Sequence, residues 1–130
     1  MTRLLIVGFG GALGSMGRYG AGVLAQRLAP GAAWPWGTFA VNVIGGLLMG
    51  LVAGWLAQRG QGGNDIRLFA AVGVLGGFTT FSAFSLETAL MIERREFGLA
   101  AAYVALSVVL AVAALFVGLM IARRAFGAAL

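Results

Sequence analysis

The chain has 130 residues, of which 61% are hydrophobic and 10% charged, a composition far from that of an ordinary soluble domain. Its net charge of +5 is carried wholly by arginine, and it has no cysteine or histidine, which excludes disulfide scaffolds, thiol catalysis and the usual zinc ligand sets. A soluble fold of this length could not hide so much apolar surface, so the chain reads as an all-α membrane protein with several spans.

A basic chain invites a nucleic-acid reading, but these arginines sit singly or in pairs between apolar runs. They form no stripe for phosphates to follow, and nucleic acid is not an expected partner. Arginines at the ends of spanning helices are the commoner explanation. The four acidic residues are scattered, and no nucleophile–base pair or metal set is visible, so an enzyme is not expected.

A spanning helix needs roughly 20 mostly apolar residues. Stretches that qualify are about Leu4–Leu28, Gly37–Leu56, Ile66–Ile92 and Leu99–Ile121. With short connections between them, residues 1–130 read as a single transmembrane domain of four helices. Arg3 before an apolar run resembles a signal peptide, but the run is read as the first span.

The first span contains GFGGALGSMGRYG, in which Gly10 and Gly14 are spaced for close helix approach and Arg18 lies one turn further on the same face. Two readings fit Arg18: a side chain snorkelling to the interface, or a guanidinium at the mouth of an aqueous vestibule that attracts anions. The segment 29–36 holds both prolines and two tryptophans, which suits a turn at headgroup level.

In the second span, Thr38, Asn42, Gly46 and Gly50 recur at i, i+4 and share one face. Asn42 reads either as interhelical glue or as a pathway residue. Its alignment with the other polar faces favours the pathway. A glycine-rich polar loop, 57–65, follows.

The third span carries the least helix-like stretch, GVLGGFTTFSAFSLE at Gly73–Glu87. Gly76 and Gly77 give poor helix support and Thr79 and Thr80 add β-branched residues, which predicts a break mid-span. At membrane depth such a break exposes backbone groups that lipid cannot satisfy. Beyond it, Phe81, Phe84, Ser85 and Thr88 lie on one side with Ser82 beside them. Aromatic rings are electropositive at their edges, so edge-on phenylalanines could partner a small anion. Glu87 is near the end of the span and reads as interfacial or as a partner for Arg18. A charged turn, 93–98, leads to the fourth span, whose polar marks are Tyr103 and Ser107, with Ala111 continuing the line.

The proposed lining thus offers amide, hydroxyl and phenol donors and no central carboxylate, whereas cation pathways use carboxylates or carbonyl rings. That chemistry suits a small-anion channel or transporter. Carbonyls freed at the Gly76–Thr80 break suit a hard cation such as Na⁺. Four spans put both termini on one side, with Arg3, Arg59, Arg67, Arg123 and Arg124 there and Arg27, Arg94 and Arg95 opposite. Five against three is a weak orienting bias. Dual topology and an antiparallel homodimer follow as an expectation, because an inverted copy supplies the second half that transport folds commonly need.

At these residues the chain resembles the Fluc/CrcB family of bacterial fluoride channels. The resemblance rests on Gly10–Gly20, on WGTFAVNVIGG at Trp36–Gly46 and above all on GGFTTFSAFSLE at Gly76–Glu87, followed by the Tyr103–Ser107 pair. It implies an antiparallel, dual-topology homodimer in the bacterial inner membrane, with two fluoride pores, passively exporting fluoride that enters acidified cells as HF. It also implies a structural Na⁺ at the dimer centre, held by the Gly76 and Thr79 carbonyls. The implied pore set is Asn42, Phe81, Phe84, Tyr103 and Ser107, to which the polar faces add Thr38, Ser82 and Ser85. Arg18 matches the family's vestibule arginine. Ala83 and Ala111 stand where the family often has hydroxyl side chains. The main rival is a small dual-topology, proton-coupled multidrug exporter, which needs an ionisable residue at the membrane centre; a non-transporting assembly subunit is another.

Overall fold

The computed structural model describes residues 1–59 and 63–127. The glycine-rich loop expected after the second span includes residues 60–62, which lie outside the described residues. Helices and turns make up the rest, with no strand among the described residues. Helix α1 is Thr2–Leu28 and α2 is Trp36–Ala57. Helix α3 covers 64–78 as α-helical Asn64–Arg67, π-helical Leu68–Leu75 and α-helical Gly76–Phe78. Two extended residues separate it from α4, Phe81–Glu93, and α5 is Phe97–Phe126.

Helix α2, the stretch Asn64–Glu93 and α5 are each long and apolar enough to cross a membrane. At 27 residues α1 has the length too, but its glycines and Arg3, Arg18 and Arg27 make it less apolar than these. By count the four expected helices are present, three of them apolar enough throughout to cross a membrane. Helix α5 runs five residues beyond its expected end at Ile121, to Phe126. Its 30 residues reach ~45 Å, more than a hydrocarbon core of ~30 Å. Arg123 and Arg124 occupy its last turn, clear of the apolar stretch.

The break falls where the sequence expects it, but the residues divide the labour differently. Gly76 and Gly77 stay helical. Thr79 (φ −82°, ψ 158°) and Thr80 (φ −151°, ψ 122°) take the extended backbone, which β-branched side chains favour. Gly77 serves packing instead: a Cβ there would come within 3.0 Å of the Gly11 Cα. Gly73 meets Gly10 in the same way, and a Cβ on Gly10 would lie 2.6 Å from the Phe69 carbonyl oxygen. Helices α1 and α3 thus touch backbone to backbone.

A second seam joins α2 to α5. A Cβ on Gly46 would meet the Ala111 carbonyl oxygen at 2.6 Å, and one on Gly54 the Ala122 Cβ at 2.6 Å. Gly50 faces the Leu115 backbone and Gly118 the Leu47 backbone equally closely. This is small-residue packing, in which dispersion and close approach replace a hydrophobic driving force that lipid does not supply. The line Thr38, Asn42, Gly46, Gly50 therefore splits: its glycines face α5, while its polar members reach the break and α4.

At the far end of α4, Glu96 N–H donates to the Met91 carbonyl at 2.9 Å and Arg95 N–H to Ile92 at 2.9 Å. Arg95 sits at φ 61°, a left-handed conformation that usually falls to glycine. This turn fixes the α4–α5 angle and so the position of Tyr103 beneath Phe84.

Replacing Gly118 by valine should cost about 1–3 kcal/mol or more, because the α2–α5 seam has no free volume. A Cβ on Gly20 meets nothing within 4 Å, so Gly20→Ala should be neutral or stabilising. Thermal unfolding in detergent compares the two; equal midpoints would mean the seam is looser than described.

Candidate functional site

Breaking a helix strands backbone groups, and the neighbouring side chains answer them one by one. Asn42 on α2 makes a two-way contact with Thr80: its Nδ2 donates to the Thr80 carbonyl at 3.0 Å, and its Oδ1 accepts the Thr80 N–H at 2.8 Å. An amide carries one donor and one acceptor edge, so it pairs with extended backbone much as a neighbouring strand would. Thr80 then restarts the helix as the N-cap of α4, its Oγ1 accepting the Ala83 N–H at 3.1 Å. Thr79 Oγ1 closes α3 by donating to the Leu75 carbonyl at 2.9 Å. Arg18 Nε donates to the Gly77 carbonyl at 3.2 Å.

The break takes the i+4 donors from four carbonyls, Gly76 to Thr79, of which Gly77 accepts from Arg18 instead. In an unbroken helix the Thr80 N–H would bond Gly76 and the Ala83 N–H would bond Thr79. Both N–H groups are committed elsewhere, to Asn42 and to Thr80 Oγ1. Gly76 and Thr79 thus present two backbone oxygens free of their helical donors, the chemistry a hard monovalent or divalent cation takes. Among the described residues no cluster of histidine, cysteine or acidic side chains could hold a metal.

An open cleft of ≈ 330 Å³ runs beside the break, and Asn42, Thr79, Thr80, Phe81, Phe84 and Ser107 line it. Four of the sequence-derived pore residues, Asn42, Phe81, Phe84 and Ser107, therefore converge on one space. The two phenylalanines are tilted at 51° with centroids 5.6 Å apart, but they are not equivalent. Phe84 is 8% exposed and leans on Tyr103, whereas Phe81 is 78% exposed on the outer face. Ser107 Oγ is buried with no hydrogen-bond partner among the described residues. Ala111 also lines the cleft, so the methyl that stands in place of a hydroxyl is on the wall.

Thr38 and Tyr103 belong to a different constellation. Thr38 Oγ1 donates to Glu87 Oε1 at 2.6 Å, and the Tyr103 hydroxyl donates to Glu87 Oε2 at 2.7 Å. Glu87 is thus held from both sides, and Arg18 is bonded to the break instead of to this carboxylate. A second cleft of ≈ 300 Å³ has Arg18, Thr38, Thr80 and Ala83 on its walls. Thr80 is common to both clefts. Ser82 touches the Thr80 hydroxyl at 3.2 Å on the exposed side, and Ser85 is exposed on α4 and lines neither cleft.

Sequence reasoning read Glu87 as interfacial or as a partner for Arg18, where it is held by Thr38 and Tyr103, and kept Thr80 out of the site. The signal for Glu87 was available: a carboxylate within an apolar span is costly unless it is paired. The double role of Thr80 was not, because nothing local says that a threonine will cap a helix that restarts mid-span.

A family model described as "CrcB-like protein, Camphor Resistance (CrcB)" matches residues 5–119. The chain belongs to this family. It is similar to a protein of Phenylobacterium zucineum (strain HLK1), 62% identical over 128 residues, covering 97% of this chain and 99% of that one. A relative from Caulobacter sp. (strain K31) is 61% identical over 127 residues, covering 97% and 98%. One from Agrobacterium fabrum is 47% identical over 126 residues, covering 97% and 100%. Each of these relatives is named "Fluoride-specific ion channel FluC". The names are those of ion channels, a non-enzymatic class, and with the apolar helices they mark this chain as a membrane protein.

Asn42→Ala should leave the Thr80 N–H and carbonyl unpaired, costing about 1–3 kcal/mol for each group. Thr80→Val should lose the cap and the exposed contact to Ser82, about 1 kcal/mol. Detergent-solubilised melts of both variants give the order; if Asn42→Ala is the milder change, the amide does not hold the break.

Proposed function

We propose that the chain is a fluoride-selective channel that lets fluoride leave the cytoplasm passively across the bacterial inner membrane and so lowers its toxicity. The observation that carries this reading is the cleft at the break, where the Asn42 amide, the Ser107 hydroxyl and the Phe81 and Phe84 rings meet without an acidic side chain. A small anion shedding water needs donors on several sides, and conduction needs that binding to be weak enough for release. The ring edges and hydroxyl supply such partners weakly. Tyr103 and Thr38 would extend the route on one side of the phenylalanine pair, Ser82 and Ser85 would join it only on the face a second copy covers, and the Arg18 guanidinium draws anions toward the second cleft.

The working unit in this proposal is an antiparallel homodimer. Five arginines against three orient the chain only weakly. Phe81 is 78% exposed beside the break, so a second copy would complete the wall that one chain leaves open. The Gly76 and Thr79 carbonyls, deprived of their helical donors, would hold a structural Na⁺ at the dimer axis. When bound, such an ion supplies positive charge beside the anion route. The chain's own contribution is to keep those carbonyls fixed through Asn42, Thr80 and Arg18.

The competing reading, a dual-topology proton-coupled multidrug exporter, draws on Glu87, a carboxylate within a candidate span. Purified protein in liposomes separates the two: electrogenic fluoride efflux without a proton gradient is expected here. Flux that vanishes when a proton gradient is collapsed would favour the exporter. Phe84→Ile should slow fluoride efflux by about tenfold or more, with the dimer still formed on a sizing column. Normal flux in Phe81→Ile and Phe84→Ile alike would remove the ring edges from the mechanism. Exchanging all Na⁺ for a bulky organic cation should abolish flux or dissociate the dimer; unchanged behaviour would remove the cation from the proposal.

A further inference from the structure

The two ends of the helix bundle differ in charge more than their arginines alone suggest. Helices α1 and α2, the α3–α4 span and α5 alternate in direction, so one end gathers the start of α1, the end of α2, the start of α3 and the end of α5. That end carries Arg3, Arg59, Arg67, Arg123 and Arg124, with Asp65 as its one side-chain carboxylate among the described residues. The opposite end sets Glu93 and Glu96 beside Arg27, Arg94 and Arg95, and Arg94 is paired with Glu96 at 3.0 Å. Among the described residues that is the one ion pair, so no carboxylate neutralises an arginine at the first end.

Packing gathers Arg59, Arg123 and Arg124 onto two neighbouring helix ends. A Cβ on Gly54 would meet the Ala122 Cβ at 2.6 Å, which holds the last turn of α2 against the end of α5. Ala122 is fully buried in this contact, and Arg123 and Arg124 follow it directly at exposed positions. From α2, Arg59 lays its guanidinium over the Trp55 ring, with Cζ 4.1 Å from the centroid. Stacking occupies the flat face of the guanidinium and leaves its N–H edge, the fork that matches a phosphate, for another partner. Tryptophan belongs at headgroup level. Helix α5, at ~45 Å, overshoots a hydrocarbon core of ~30 Å and carries its two terminal arginines to the same level.

We propose that this end of the molecule is a binding surface for anionic phospholipid headgroups, with Arg59, Arg123 and Arg124 at its centre. A lipid such as phosphatidylglycerol brings a phosphodiester for the arginine forks and no cation of its own, whereas phosphatidylcholine brings an ammonium that the surplus of arginines repels. Lipid is the occupant because the arginines stand where a leaflet presents its phosphates. The surface owes nothing to the channel reading and holds whether or not the chain carries fluoride. In the antiparallel pair proposed above, each leaflet would receive one such end.

Spin-labelled phosphatidylglycerol and phosphatidylcholine in liposomes carrying the full chain test this, the immobilised fraction of each label giving the relative association constant. Phosphatidylglycerol should be preferred, and the preference should shrink at high salt. Arg59→Gln, Arg123→Gln and Arg124→Gln should each lower it by up to about fivefold, and the triple variant should remove it. All three positions are exposed, so melting midpoints should hold. Arg94→Gln with Arg95→Gln, at the other end, should leave the preference in place. Equal immobilisation of the two lipids by the wild-type chain, or a preference that survives the triple variant, would overturn the proposal. So would an equal loss in the Arg94, Arg95 double variant. Inorganic phosphate should displace the lipid no better than chloride at matched ionic strength; better displacement would mean a site for free phosphate and sink the lipid assignment.

Discussion

A helix can be opened inside an apolar span only if other protein groups take over its backbone hydrogen bonds, since lipid offers none. In this chain the Asn42 amide meets most of that demand, receiving the Thr80 N–H and returning a donor to the Thr80 carbonyl. Everything functional is arranged around that exchange. The extended pair Thr79–Thr80 exists because Asn42 faces it, α4 restarts because Thr80 caps it, and of the carbonyls left over only Gly77 has a side-chain donor, Arg18. Remove the amide and the cheapest remedy for the backbone is to become one continuous helix, which would erase the cleft.

The surrounding packing explains why that remedy is resisted. Gly77 and Gly73 lie against the α1 backbone, and Gly45 lies against the Thr79 side chain, so the approach to the break is held on both sides by contacts that tolerate no added atom. The phenylalanines are then presented at a fixed rotation, one inward on Tyr103 and one outward. Their burial is unequal: the Phe84 ring is covered within the chain and the Phe81 ring is left open on the outer face.

Much of this was legible in the sequence, for physical reasons that can be named. Apolar runs of spanning length, the weak helix support around Gly76–Thr80 and the i, i+4 line from Thr38 to Gly50 are local signals, and each led to an element in the right place. The family resemblance was carried by motifs dense enough to be read directly, and it holds. What escaped was pairwise. Gly77 looks like a helix breaker in sequence and proves to be a contact surface, because its partner on α1, Gly11, is more than 60 residues away. Glu87 could be seen as costly but not as shared between Thr38 and Tyr103, which come from two other helices. Ser82 and Ser85 look equivalent in the Phe-Ser pattern, yet only Ser82 reaches the break.

The two glycine seams divide the molecule mechanically. Helices α1 and α3 form one stiff couple and α2 and α5 another, each locked main chain to main chain. Between the couples, the break is spanned chiefly by side chains, with Asn42 from one couple reaching Thr80 beside the other. Elastic compliance in such a body is concentrated where backbone contact is thinnest, so thermal breathing would widen or narrow the ion's route before it disturbed either couple.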